Sequence, residues 1–231
     1  MQGFHAGRIS YVGPQGEIGR EWFETVPFVG GGGRTLRAFC EMDEVGISRD
    51  VTMALDAQSR PIDGFVRIVQ GGAVSGASLF LVGPGGVDYE GMTRDHGRVS
   101  QHKPLPGMLP YLGLHPLVGD ALVAPLRGID APGEFRMIHG ITNSHSPNGE
   151  LGLLAMPTHI DVAYVGEEHV EVPAGRFDTH RYALRWNPAW PPADLWVHGP
   201  LALFVLMRWS MIDTRYELTE LRRERSGRSG R

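Results

Sequence analysis

Apolar and polar residues alternate along much of this chain. Leu36, Ala38, Cys40 and Met42 alternate with Arg37, Phe39, Glu41 and Asp43, the period of a strand whose two faces differ chemically. Val51, Met53 and Leu55 resume the pattern after a turn near Val45-Gly46. A second turn at Ser59-Arg60-Pro61 leads into a strand over 65–69, and a strand over 79–82 is closed by Gly83-Pro84-Gly85-Gly86. The first half therefore reads as consecutive hairpins. After the middle of the chain, strands are predicted over 134–141, 151–156, 159–165, 169–172, 176–186, 195–198, 201–209 and 214–221.

The segment 104–128 breaks this rhythm. Leu109, Leu112, Leu117, Leu122 and Leu126 have a loosely helical spacing, interrupted by Pro116 and Gly119. One or two short helices are expected there, packed on the sheet or plugging one mouth of it. The predicted fold is mainly β: a curved antiparallel sheet forming a β-roll or half-open barrel around an apolar cavity. Residues 1–221 form a single domain with a helical insertion at 104–128, and 222–231 form a flexible basic tail.

Composition narrows the function classes. The chain has 231 residues, 42% hydrophobic and 21% charged, with a net charge of −4. A core large enough to enclose a small molecule fits this length. The mildly acidic balance predicts no nucleic-acid partner. No apolar run is long enough to span a bilayer as a helix. The start, Met1 to Arg8, has no stretch of signal-peptide length, and Cys40 is the only cysteine, so a cytoplasmic setting is expected. Either a monomer or a homodimer is compatible with these features.

A cadence in the second half is recognisable. Val172-Pro173-Ala174-Gly175-Arg176-Phe177-Asp178 leads into Arg181-Tyr182, followed by Leu195-Trp196-Val197 and finally Arg215-Tyr216-Glu217-Leu218. This resembles a group of uncharacterised bacterial β-roll domains related to the LolA/LppX lipoprotein-carrier fold. The resemblance is carried by about the last 60 residues. It implies a curved antiparallel sheet around apolar ligand space, with Pro-Ala-Gly as a hairpin turn.

Few chemical signatures are present. Gly30-Gly31-Gly32-Gly33-Arg34 lacks the Lys-Ser/Thr ending of a phosphate loop and reads as a hairpin loop. There is no Gly-x-Ser-x-Gly elbow, no His-Glu-x-x-His, no cysteine pair and no dinucleotide fingerprint. No cofactor and no metal is therefore predicted. The ten histidines are unusual. His115, before Pro116 and close to Asp120, lies in the least regular segment, where an imidazole could act as general base and a carboxylate orient it. The bland alternative is a helix boundary with His115 bonded to backbone. His139 and His145 flank Gly140-Ile141-Thr142-Asn143-Ser144. They could line a cavity mouth, form a metal pair completed by His159 or His115, or mark an exposed turn.

Glu41 and Asp43 share one strand face, with Arg49 and Asp50 on the next strand. They are buried charges if that face points inward and a solvated ladder if it points outward. Arg67 could pair with either carboxylate. The aromatics are mostly core, and a cavity lined by several would suit a flat or lipidic ligand.

Two functions follow. The first is a cofactor-independent lyase, of retro-aldol type, or an isomerase, acting on a hydrophobic or aromatic small molecule. Its catalytic candidates are His115, His139, Asp120, Glu41 and Arg49; its substrate-binding candidates are Tyr111, His145, Phe39 and Trp196. The second is a non-catalytic carrier of a lipid or other apolar ligand.

Overall fold

The computed structural model describes residues 3–147, 149–151 and 153–224. The first half forms β1 (Phe4–Gly13), β2 (Gly16–Pro27), β3 (Gly33–Met42), β4 (Ile47–Asp56), β5 (Pro61–Gln70), β6 (Ala73–Gly83), β7 (Gly86–Thr93) and β8 (Gly97–Pro104); β3 to β6 contain the segments expected from the alternation, and β1, β2, β7 and β8 are not among the predicted strands. A short β9 (Tyr111–Gly113) and two helical turns, α1 (Leu117–Asp120) and α2 (Val123–Arg127), follow. The chain then forms β10 (Phe135–Thr142), β11 (Met156–Val172), β12 (Gly175–Arg185), β13 (Ala193–His198), β14 (Leu203–Trp209) and β15 (Thr214–Glu224).

All fifteen strands form one sheet, in the order 8-7-6-5-4-3-2-1-15-14-13-12-11-10-9. Each half is a meander, and the halves join where β1 pairs with β15. Every pairing is antiparallel except the short parallel contact of β9 with β10. The fold is the mainly-β roll expected from the alternation, with β8 and β9 as its two unjoined edges. Strand twist curls a sheet of this width, so one face becomes the interior.

That interior is apolar because the alternation is strict. Leu36, Ala38 and Cys40 of β3 are buried, as are Val51, Met53 and Leu55 of β4 and Val66 and Ile68 of β5. The edge strand β9 lies against the inner face of β5. At Gly64, a Cβ would lie 2.6 Å from Leu112 Cδ2 and 2.9 Å from Leu114 Cδ1, so glycine is what lets the two segments approach.

Several expectations are corrected. The predicted strands at 159–165 and 169–172 are one strand, β11. Its Gly166-Glu167-Glu168 break is a register shift, where Tyr164 and Gly166 oppose consecutive residues of β12. Of the strand expected at 151–156, Leu151 and Leu153 to Ala155 are not in a strand, and Met156 opens β11. Leu153 has φ 53°, and its carbonyl accepts a 2.6 Å hydrogen bond from the Tyr89 hydroxyl, which fixes it as a loop pinned under β7. The expected tail begins later than residue 222, because β15 continues to Glu224, pairing Arg222, Arg223 and Glu224 with Ala6, His5 and Phe4. The remainder of that tail lies outside the described residues. The Pro173-Ala174 turn connects β11 to β12 as expected.

The two helical turns lie inside the roll. Their seat is Glu21 of β2, which is fully buried. One carboxylate oxygen accepts from the Leu117 N–H at 2.8 Å and the other from the Val118 N–H at 3.1 Å, so a side chain from the sheet satisfies the first amides of α1. The Tyr11 hydroxyl donates to the same carboxylate at 3.1 Å. At the other end, the buried Arg127 of α2 donates to the carbonyls of Asp130, Ala131, Glu134 and Val162 at 2.8 to 3.3 Å.

Replacing Glu21 with Ala strands these buried donors. Glu21→Ala should cost about 3 kcal/mol in urea unfolding. Glu171→Ala, which removes an exposed partner of Arg176, should change stability by less than about 0.5 kcal/mol.

Candidate functional site

A cavity of about 730 Å³ opens at one end of the roll. Its walls come from separate parts of the chain: the β1–β2 hairpin, the turn after β3, α1, the loop after β10, the Asn187–Pro188 loop and the β14–β15 turn. Aromatic side chains dominate one side. Trp209 lies between Trp186 and Trp190, with ring centroids 5.2 and 5.7 Å away, and its indole N–H donates to the Pro191 carbonyl at 3.0 Å. Tyr11 and Tyr216 meet edge-to-face at 5.0 Å.

Polar groups cluster around α1. The Tyr111 hydroxyl donates to Asp120 Oδ1 at 2.9 Å. Burial raises the Asp120 carboxyl to about 7, against the opposing effect of the Tyr111 hydrogen bond. Burial likewise raises Glu21, which lies behind α1. Burial lifts Tyr111 and Cys40 well above their usual ranges, so neither is ionised near neutrality.

His115 is held in the left-handed region at φ 67°. Its Nε2 lies 3.0 Å from the Ser144 carbonyl, which can only accept, so that nitrogen carries the proton. Burial, reinforced by the positive charge of Arg49, lowers its pKa to about 3. Arg49 donates from Nη1 to the His115 carbonyl at 3.0 Å. Together, these contacts make His115 a neutral, anchored imidazole.

The structure brings five of the nine sequence candidates to this cavity: His115, Asp120, Arg49, Tyr111 and His145. His145 is placed by a 3.0 Å contact from Nε2 to the Pro157 carbonyl. The expected pairing of His115 with Asp120 does not form, since Asp120 bonds Tyr111 and His115 bonds backbone.

The other four lie elsewhere. His139 is exposed on β10 opposite His159 of β11. Glu41 faces outward and bonds Arg20 at 2.8 Å, in a ladder with Glu17 and Asp43, which is the solvated alternative for that strand face. Arg67 pairs with Asp50 at 2.8 Å rather than with Glu41 or Asp43. Phe39 is 38% exposed on the outer face beside Trp22. Trp196 is buried away from the cavity, donating to Glu168 at 2.7 Å between Arg181 and Arg208. Among the described residues, no three His, Cys, Asp or Glu side chains group as a metal site would require, so the suggested histidine set is not assembled.

Sequence reasoning missed Glu21 and, in reading the aromatics as mostly core with several able to line a cavity, did not single out Trp186, Trp190 and Trp209. A signal for Glu21 existed: it occupies the inward step of β2 between Gly19 and Phe23, where alternation calls for an apolar residue.

The raised pKa of Asp120 has a consequence for stability. The folded state keeps this proton up to about pH 7, whereas an ordinary carboxyl releases it near 3.8. Stability from this group is therefore complete below about pH 4 and is lost as pH rises to about 7. Asp120→Asn should flatten that decline. Relative to the parent it should gain on the order of 4 kcal/mol between pH 4 and pH 8, measured by urea unfolding across pH.

Comparison with protein-family models gives no match, and comparison with curated proteins gives none. Among solved structures, the chain is similar to a β-barrel-like protein of the domain of unknown function DUF1849 from Brucella abortus. The two share 10% identity and a TM-score of 0.56 over 96% of this chain and 98% of that one. It is also similar to a DUF1089 family protein from Pseudomonas aeruginosa, at 11% identity and a TM-score of 0.50 over 83% and 90%. A putative exported protein with a YmcC-like fold from Bacteroides fragilis aligns over 96% of both chains at 10% identity, with a TM-score of 0.34. At these identities the first two likenesses concern the fold alone: this chain shares a barrel-like architecture with bacterial proteins of unknown function.

Proposed function

We propose that this protein binds an apolar or aromatic small molecule in the large cavity without transforming it. The observation that carries this reading is the cavity itself. It has about 730 Å³ of space beside the cluster of Trp186, Trp209 and Trp190. Pockets of that volume with apolar walls and a few placed polar groups suit compact organic ligands. The polar groups here are mostly satisfied by the protein, as for His115 on the Ser144 carbonyl, which suits recognition better than proton transfer. The carrier-like cadence of the C-terminal strands agrees with this reading and extends it to lipidic ligands.

A second reading is favoured by one observation, the Asp120 carboxyl near pKa 7 on the cavity wall. A carboxyl so tuned is suited to general acid–base work. In a lyase of retro-aldol type or an isomerase, Asp120 would exchange the proton, and Arg49 would stabilise developing oxyanion charge. His115 would serve there as a positioning group rather than as the base.

Native mass spectrometry of the purified protein, with chemical identification of whatever is released on denaturation, tests the first reading. A co-purifying apolar or aromatic compound, recovered unchanged after incubation with fresh protein, is the expected result. Its binding should quench tryptophan fluorescence, and Trp190→Ala should weaken it about tenfold, or ~1.4 kcal/mol. Conversion of the compound, abolished by Asp120→Asn, would replace the carrier reading with the enzymatic one. Failure of any apolar compound to bind would refute both.

A further inference from the structure

A second, smaller cavity of about 210 Å³ opens at the other end of the roll. Helix α1 lies between the two: Leu117 and Asp120 face the large cavity, while Val118 and the following Leu122 face the small one. The walls of the small cavity are apolar, with Phe23, Leu36 and Phe204 beside those two α1-side residues. All of its charge-bearing lining residues are basic: His5, Arg34, His198 and Arg223. Among the described residues, no carboxylate lines it.

Strand register explains how these residues meet. Arg223 of β15 pairs with His5 of β1, His5 pairs with Thr25 of β2, and Thr25 pairs with Leu36 of β3. They form one cross-strand row, and Arg34 is the next inward position along β3. His198, at the end of β13, closes the opposite side with Nδ1 bonded at 2.7 Å to the Asp178 carbonyl.

Arg34 is the unusual member. It is 3% exposed, and among the described residues its only side-chain hydrogen bond runs from Nη2 to the Ser59 hydroxyl at 2.9 Å. It makes no ion pair among the described residues. The nearest acidic influence, Asp56, is engaged by Arg60 at 2.7 Å. A guanidinium has five N–H donors, and one buried without a carboxylate is costly unless something else supplies acceptors. Arg223 is exposed and can swing toward the opening, with its guanidinium carbon 5.8 Å from the Phe177 ring.

We propose that this second mouth is a binding site for an oxyanion head group, phosphate or carboxylate, carried on a short apolar stem. Arg34 supplies a fork of donors at the base of the site and Arg223 a second cation at its rim. His5 adds a ring N–H, and Phe23, Leu36 and Leu122 take the stem. This assignment does not depend on what occupies the large cavity.

Thermal unfolding of the full chain with butyl phosphate, butyrate or inorganic phosphate, each against chloride at equal ionic strength, provides the test. Butyl phosphate or butyrate should raise Tm saturably and at lower concentration than inorganic phosphate. Arg34→Met should weaken that response about tenfold or more. It should also leave the ligand-free Tm unchanged or higher, because it removes a buried charge, so loss of the response cannot be ascribed to misfolding. Trp190→Ala, in the other cavity, should keep the response. The proposal is overturned if none of the three probes stabilises the protein, if Arg34→Met responds like the parent, or if inorganic phosphate matches butyl phosphate.

Discussion

The interior of this protein is organised by one contact, the buried Glu21 carboxylate on the first amides of α1. A helical turn of four residues has almost no stability of its own, because too few of its amides find partners inside it. Pro116 ahead of α1 gives it no side-chain cap. A carboxylate from the neighbouring sheet supplies what the local sequence lacks, and it does so from a position that cannot move, since Glu21 sits in a strand paired on both sides. The helix is therefore fixed across the roll. What would otherwise be one continuous interior becomes two cavities that face opposite ends.

The same contact sets the electrostatics of the large cavity. Glu21 raises the pKa of Asp120 by charge repulsion, in addition to burial, while Arg49 acts on Asp120 in the opposite sense. His115 is kept neutral by burial and by the same Arg49. The cavity thus carries several ionisable groups whose charged forms are suppressed or balanced. That explains how polar residues and clustered indoles share one cavity without a prohibitive desolvation cost.

The strand framework was legible because its physics is local. Alternation along β3 and β4 reports a half-buried sheet without any knowledge of partners, and Pro173-Ala174 marks a turn by its own geometry. The segment 151–156 misled because it is apolar for a non-local reason: Leu153 is buried under Tyr89, some sixty residues away. The candidate site was legible to the extent that it lies in the irregular segment around His115, Tyr111 and Asp120. Glu41 and Phe39 failed for a reason of parity. Both lie on the odd positions of β3, whose even positions Leu36, Ala38 and Cys40 point inward, and strand alternation alone does not say which set faces the core. His139 is an exposed strand residue whose neighbours in sequence are buried, so proximity to His145 along the chain did not imply proximity in the site.

Arg34 and Arg127 show why burial of a charge has to be read together with its partners. Both arginines are almost wholly buried, at 3% and 2% exposure. Arg127 donates to three backbone carbonyls of the turn leading into β10 and to that of Val162 in β11, and lies 3.4 Å from the Asp130 carboxylate, so its charge is well compensated and it acts as a clamp. Among the described residues, Arg34 has a single hydroxyl acceptor and stands in a cavity whose other ionisable groups are basic. The first arrangement is complete in the folded chain by itself. The second places a buried guanidinium on the wall of a small space, where an acceptor of opposite charge would lower its free energy. On this physical ground the two ends of the roll differ: one mouth is broad and aromatic with groups of both signs, and the other is narrow and lined by two arginines.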